Sequence, residues 1–193
     1  MKSLTKQNLV FSRVRLFEKR TFLPQEVDFL WKVESGVVRS LTWLEDGTIV
    51  TLGVWGKGDT VGHAFSASEP YQIECITKVE AAAFPIKNWE PFVDVLFEHL
   101  QQAKELMVIR SYKTVDMMVM KLLIWFAQKF GREVETGRLI DLRLTHQDIA
   151  EILGTTRVTV TRVLTQLEEQ GLIQRLPLHL TIVQVQDMWH YEI

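Results

Sequence analysis

Between residues 28 and 85 apolar and polar positions alternate in short runs, whereas beyond residue 92 apolar positions recur every three or four residues. The first pattern is that of half-buried strands, the second that of helices with one apolar face. Asp28–Val33, Val37–Leu44, Thr48–Trp55, Tyr71–Ile76 and Val79–Pro85 read as strands separated by turns that carry Gly, Asp or Pro. Glu45-Asp46-Gly47 is a hairpin signal. Many short strands so punctuated predict a sandwich or jelly-roll barrel over residues 1–91. Trp31, Trp43 and Trp55 recur every twelve residues. Their rings suit the filling of a small barrel, with the lining of a ligand cavity as the alternative.

From Phe92 to Phe130 the chain has neither proline nor glycine, which predicts a long helical stretch over residues 92–130. Within it Leu96, Leu100, Ala103 and Met107 are spaced four, three and four, a heptad seam that can meet a second copy or serve as a core stripe within one chain. Phe97, Leu106 and Ile109 lie beside it and are expected to pack back on the barrel. Polarity breaks at Arg110, Ser111 and Lys113, which places a hinge there. Four of the six methionines fall in this region, and flexible thioether side chains suit surfaces that repack.

The third part, residues 131–193, holds the most specific segment, Leu144 to Ile173. Thr145 and Asp148 have capping-box spacing at the start of a short helix with Ile149, Ala150, Ile152 and Leu153 on its apolar side. Gly154 stands where the chain must turn out of that helix. A second helix begins near Thr155 or Thr156, with Val160, Val163, Leu164 and Leu167 as its core stripe. Val158 and Arg162 fall nearly opposite that stripe, Arg157 and Thr161 on one flank and Thr159 on the other. A solvent-facing valine between two arginines suits a thymine methyl beside the O6/N7 edge of guanine. Arg157, Val158, Thr161 and Arg162 are therefore the candidate base contacts. Thr145, His146, Gln147, Thr156 and Thr159, near helix N-termini, are the candidate phosphate contacts. Leu172–Leu176 and Leu180–Val185 alternate as a hairpin, a wing with His179 at its tip.

Composition narrows the field. The chain has 193 residues, 47% hydrophobic and 24% charged, with a net charge of −2. No run approaches the ~20 apolar residues that span a bilayer, and Met1–Phe17 has no uninterrupted apolar segment of the secretory kind. No membrane association and a cytoplasmic location are expected. The single cysteine, Cys75, excludes an internal disulfide and a cysteine-ligated cluster. Residues 132–193 carry six Lys/Arg against nine Asp/Glu, but no acid lies between Thr155 and Gln166. Binding of DNA then rests on one local face, and doubling that face in a dimer follows.

The segment Leu144–Ile173 resembles the helix-turn-helix of the cyclic-AMP receptor protein/Fnr (Crp/Fnr) family of bacterial transcription regulators. The run TRVTVTRVL, Thr156–Leu164, is most similar to the nitrogen-regulator branch of that family. KLLIWFAQKFG, VESGVV and GKGDTVG resemble its helix into the DNA-binding domain and its sensor-barrel turns. The resemblance implies an α+β chain with a jelly-roll (double-stranded β-helix) sensor barrel, a long dimerisation helix and a C-terminal winged helix-turn-helix. It further implies a homodimer on double-stranded DNA, base contacts by Arg157 and Arg162, inverted GTA-like half-sites and RNA polymerase as a partner. Leu96, Leu100, Ala103 and Met107 become the expected dimer interface.

The effector is less legible. Cyclic-nucleotide binders of the family place a glutamate and then an arginine after the Gly-Asp turn, whereas this chain has His63 after Gly62 and no Arg or Lys in Ala64–Ile76. Cyclic AMP is therefore not expected. His99 and Lys104 occupy positions where the nitrogen regulators use an arginine and a glutamate. Gly62, His63 and Lys104 are the candidate effector residues, with the ligand unknown, no cofactor and no metal expected. Two rivals remain: a winged helix used only for protein contacts, and a cupin-type metal enzyme with an appended DNA-binding domain. The second needs several converging ligands, and the barrel segment has one histidine, His63.

Overall fold

The computed structural model describes residues 13–25, 28–66, 69–86, 93–177 and 180–184. The wing-tip residue His179, the boundary at residues 91–92 and the tail that carries Trp189 and Tyr191 lie outside them.

Seven strands build the N-terminal barrel: β1 (Arg15–Phe17), β2 (Phe29–Ser35), β3 (Val38–Trp43), β4 (Ile49–Trp55), β5 (Thr60–Val61), β6 (Gln72–Cys75) and β7 (Val79–Pro85). They form two antiparallel sheets, ordered β1-β7-β2-β5 and β4-β3-β6. The alternating apolar residues point between the sheets, where Phe17, Trp31, Val33, Val38, Trp55, Val61 and Val79 are buried together. The hairpin β3–β4 turns at Gly47, whose φ of +82° favours glycine, while Asp46 Oδ1 accepts from the Thr48 N–H at 2.9 Å. Each strand read from the sequence is present within one or two residues. β1 and β5 were not anticipated, being three and two residues long and without a period to show.

The predicted single helical stretch is two helices, α1 (Val93–Arg110) and α2 (Val115–Phe130). They part at the expected polarity break. Ser111 turns its backbone N–H and its hydroxyl to the Met107 carbonyl, and Thr114 caps the next helix in extended conformation. Helix α2 is buried on most sides, from Val119 to Ala127, because it lies between the barrel and the C-terminal part. A hairpin, β8 (Gly131–Val134) and β9 (Gly137–Ile140), follows and was not foreseen. Then come α3 (His146–Leu153), α4 (Arg157–Glu169), and the wing strands β10 (Ile173–Leu176) and β11 (Leu180–Gln184). Their sheet runs β10-β11-β9-β8, so the unforeseen hairpin backs the wing.

One apolar core runs through both halves. Val37, Val54 and Ile76 of the barrel join the buried residues of α1, α2, α3 and α4. The outer face of the sheet β4-β3-β6 is also covered. Arg39, Thr51 and Glu74, polar residues on that face, are buried beneath α3. Arg39, directly opposite Glu74 in the ladder, donates from Nε to Glu74 Oε2 at 2.7 Å and pairs with Glu151 of α3. Arg20 bridges Glu74 at 3.1 Å and Asp148 at 2.6 Å. Arg110, where α1 ends, donates from Nε to the Ile152 carbonyl at 2.8 Å, placing a cation at the last turn of α3. The N-terminal barrel thus grips α3 through two arginines and three carboxylates.

Candidate nucleic-acid interface

The α3–turn–α4 unit is set by local chemistry. Thr145 Oγ1 accepts the Asp148 N–H at 3.1 Å, and Asp148 Oδ2 accepts the Thr145 N–H at 2.8 Å, which completes the predicted capping box. Gly154 ends α3 with φ +70° and ψ +38°, the left-handed conformation that glycine adopts without steric cost. Thr156 caps α4, its Oγ1 accepting the Thr159 N–H at 3.1 Å. Val160, Val163, Leu164 and Leu167 are buried against α2 and α3, which turns the opposite side of α4 outward.

That outward side carries Arg157, Val158, Thr161 and Arg162. Val158 is 78% exposed. Neither Arg157 nor Arg162 forms an ion pair among the described residues, so both guanidinium groups are available to a partner. Of the candidate phosphate contacts, Thr145 and Thr156 sit at the two helix N-caps, and Thr159 is in the first turn of α4. Gln147 donates its amide to Glu151 at 2.7 Å, and His146 reaches across to Thr161 of α4. Behind the helix Arg175 on β10 donates to Glu168 Oε2 from Nε at 2.7 Å, which holds that carboxyl below the usual carboxylate range. This ion pair ties the wing to the reading helix.

The barrel side presents a cavity of about 290 Å³ against α1, walled by Ser40, Trp55, Phe65, Tyr71 and His99 among others. His99 stacks on Trp55 with ring centroids 3.8 Å apart and meets the Thr60 carbonyl at 2.7 Å. Burial pushes its imidazole below the ordinary value. The candidate effector residues stand elsewhere. His63 pairs with Glu69 at 2.9 Å, Gly62 packs against Leu30 so closely that a β-carbon would collide with it, and Lys104 is exposed on α1. None of the three is in the wall of this cavity. Among the described residues no lysine or arginine lines it either. Trp31 fills the barrel, edge-on to Phe17 at 5.3 Å, while Trp55 does line the cavity, so the two roles weighed for the tryptophans divide between them.

Along α1, Leu106 and Ile109 pack inward as expected. Phe97 does not: it is 66% exposed and joins Leu100 and Met107, at 67% and 68%, on an outward apolar face with Ala103. The residue expected inside therefore shares the exposed apolar face of α1.

Comparison with known proteins accords with this geometry. A family model for the Crp-like helix-turn-helix domain matches residues 119–191. The regulatory protein CysR of Synechococcus elongatus is 39% identical over 163 residues, 83% of this chain and 79% of that protein. The chain belongs to the Crp/Fnr family. The global nitrogen regulator of Nostoc is 31% identical over 182 residues, covering 83% of this chain and 80% of its own length. The solved structure of FixK2 from Bradyrhizobium japonicum shares the fold, with a TM-score of 0.78 at 22% identity over 96% of this chain and 98% of that one. The protein is a DNA-binding transcription regulator of Crp/Fnr type, with a barrel sensor and a winged helix-turn-helix. The residues that sequence reasoning missed are Arg20, Arg39, Glu74 and Glu151. They read as a solvated strand face and a helix surface, and nothing in their spacing announces that they meet.

Proposed function

We propose that this regulator acts as a homodimer that inserts α4 of each subunit into successive major grooves and reads inverted GTA-like half-sites. The observation that carries the proposal is the outward face of α4, on which Arg157, Val158 and Arg162 stand together with no ion pair to an acid among the described residues. Arginine geometry suits the guanine edge and the valine suits the thymine methyl. Thr145, His146, Gln147, Thr156 and Thr159 then set register on the phosphates. The exposed face of Leu100, Ala103 and Met107, with Leu96 at its edge, supports dimerisation along α1, and half-sites one helical turn apart, ~34 Å, follow.

The division into a barrel to residue 91, a dimer helix and hinge to 130, and a DNA-binding part from 131 belongs to the same proposal, as do a cytoplasmic location and contact with RNA polymerase. The effector is something other than cyclic AMP, or there is none: the aromatic cavity offers a cyclic phosphate no cation among the described residues.

Fluorescence anisotropy tests the reading on a duplex with two inverted GTA half-sites, beside one with both guanines replaced, at one salt concentration. Arg162→Ala should weaken the first by ~1–3 kcal/mol per half-site and leave the second little changed. Addition of cyclic AMP should change neither. Equal binding of wild type to both duplexes refutes the half-site assignment.

A further inference from the structure

We infer that α4 reads thymine through a row of methyl groups, on Val158, Thr161 and Thr165, and that His146 and Arg175 are positioning residues that turn the two threonines to present them. The inference rests on the proposed insertion of α4 into the major groove and deepens it.

Threonines on a reading helix would ordinarily be assigned to hydrogen bonding. Here their hydroxyls are already engaged. Thr161 Oγ1 donates to the Arg157 carbonyl at 2.9 Å. A hydroxyl has one hydrogen to give. The 2.8 Å contact between Thr161 Oγ1 and His146 Nδ1 therefore has the imidazole N–H donating and the hydroxyl accepting. One turn further, Thr165 repeats the arrangement. Its Oγ1 donates to the Thr161 carbonyl at 3.1 Å and accepts from Arg175 Nη2 at 3.4 Å. Both hydroxyls are turned back, one toward α3 and one toward the wing. Each hydroxyl has spent its one proton inside the protein and already holds one donor, so the methyl is the group each threonine leaves least engaged.

Positions 158, 161 and 165 are spaced three and four, so they share one face. At 1.5 Å per residue the row is ~10 Å long, the rise of about three base pairs. Thymine is the base whose major-groove edge carries a methyl group. Arg157 and Arg162, flanking the row, supply the polar contacts that the threonines do not. The recognised sequence is then guanine at the arginines with thymines lying along the methyl row.

The test needs no assumption about the operator. Wild-type protein selects its own site from a randomised duplex library. Each thymine of the selected half-site is then replaced, one at a time, by deoxyuridine, which removes the methyl and keeps every hydrogen-bonding group. At one or more positions wild type should bind the uracil duplex about fourfold more weakly, the value of one buried methyl. Thr161→Ser, which keeps the hydroxyl and loses the methyl, should abolish the preference at one position. Thr161→Val, which does the reverse, should keep the ratio whatever its absolute affinity. His146→Ala should narrow the ratio and His146→Asn, which retains an N–H donor, should restore it. The positions lie on or near the helix surface, and circular dichroism checks that each variant is folded.

Equal affinity for thymine and uracil at every position overturns the inference. So does the opposite crossover, with serine keeping the preference and valine losing it, which would make the hydroxyl the reader. A selected site that lacks GTA yet depends on thymine methyls retires the half-site assignment and supports the methyl row. Failure to select any sequence overturns both.

Discussion

Replacing Arg39 by methionine removes the cation that joins the barrel to α3 while keeping most of the side chain's volume. Arg39 is 1% exposed, and its guanidinium lies 2.7 Å (Nε) and 2.6 Å (Nη2) from Glu74 Oε2 and also pairs with Glu151. Taking one partner out of a buried pair leaves the other charges uncompensated, at a cost of ~3–5 kcal/mol. The low end applies here. Glu74 keeps Arg20 at 3.1 Å, and Glu151 keeps the Gln147 amide at 2.7 Å on its other carboxylate oxygen. A loss of about 3 kcal/mol is expected in urea titrations followed by tryptophan fluorescence, at fixed protomer concentration because dimerisation would couple to stability. The double variant Arg39→Met/Glu151→Leu should be less destabilised than the sum of the singles, with a coupling of ~1–3 kcal/mol. Because the pair is buried, raising salt from 0.1 to 0.5 M should change that coupling little. A cost for Arg39→Met below about 1 kcal/mol, with no coupling to Glu151, would refute the claim that this network holds the reading head on the barrel.

Asp148→Ala removes the return half of the capping box and the Arg20 ion pair together, so it should cost more than Thr145→Ala, which loses ~1 kcal/mol of capping, in the same titration. His99 gives a pH signature. Burial lowers its affinity for a proton in the folded protein, while the unfolded chain takes up the proton near the ordinary value of 6.5. The unfolded state therefore binds more protons in the window below 6.5, and stability present at pH 8 should fall as pH drops through it. His99→Gln should flatten that decline, and identical pH slopes for variant and wild type would remove His99 from the account. Leu100→Asp places a charge on the exposed apolar face of α1. Analytical ultracentrifugation should show a shift toward monomer, and an unchanged dimer would move the interface off α1.

Where a segment's structure follows from neighbours in sequence, the chain alone was enough. The strands of the barrel follow from alternation, the β3–β4 turn from Asp46-Gly47, and the α3 and α4 boundaries from Thr145, Asp148, Gly154 and Thr156. Each is decided by backbone conformation or by a hydrogen bond spanning a few residues. The outward face of α4 follows in the same way, because the buried stripe Val160, Val163, Leu164 and Leu167 leaves Arg157, Val158 and Arg162 on the other side. Tertiary structure decided the rest. Arg39 and Glu74 lie 35 residues apart and meet Glu151 far along the chain, and only docking of α3 turns a polar strand face into a buried ion network. Phe97 stands exposed on α1 and not against the barrel, an outcome that helical spacing does not encode. Thr161 was legible as a residue of the reading face. How its hydroxyl is engaged depends on the Arg157 carbonyl one turn back and on His146, fifteen residues away on another helix.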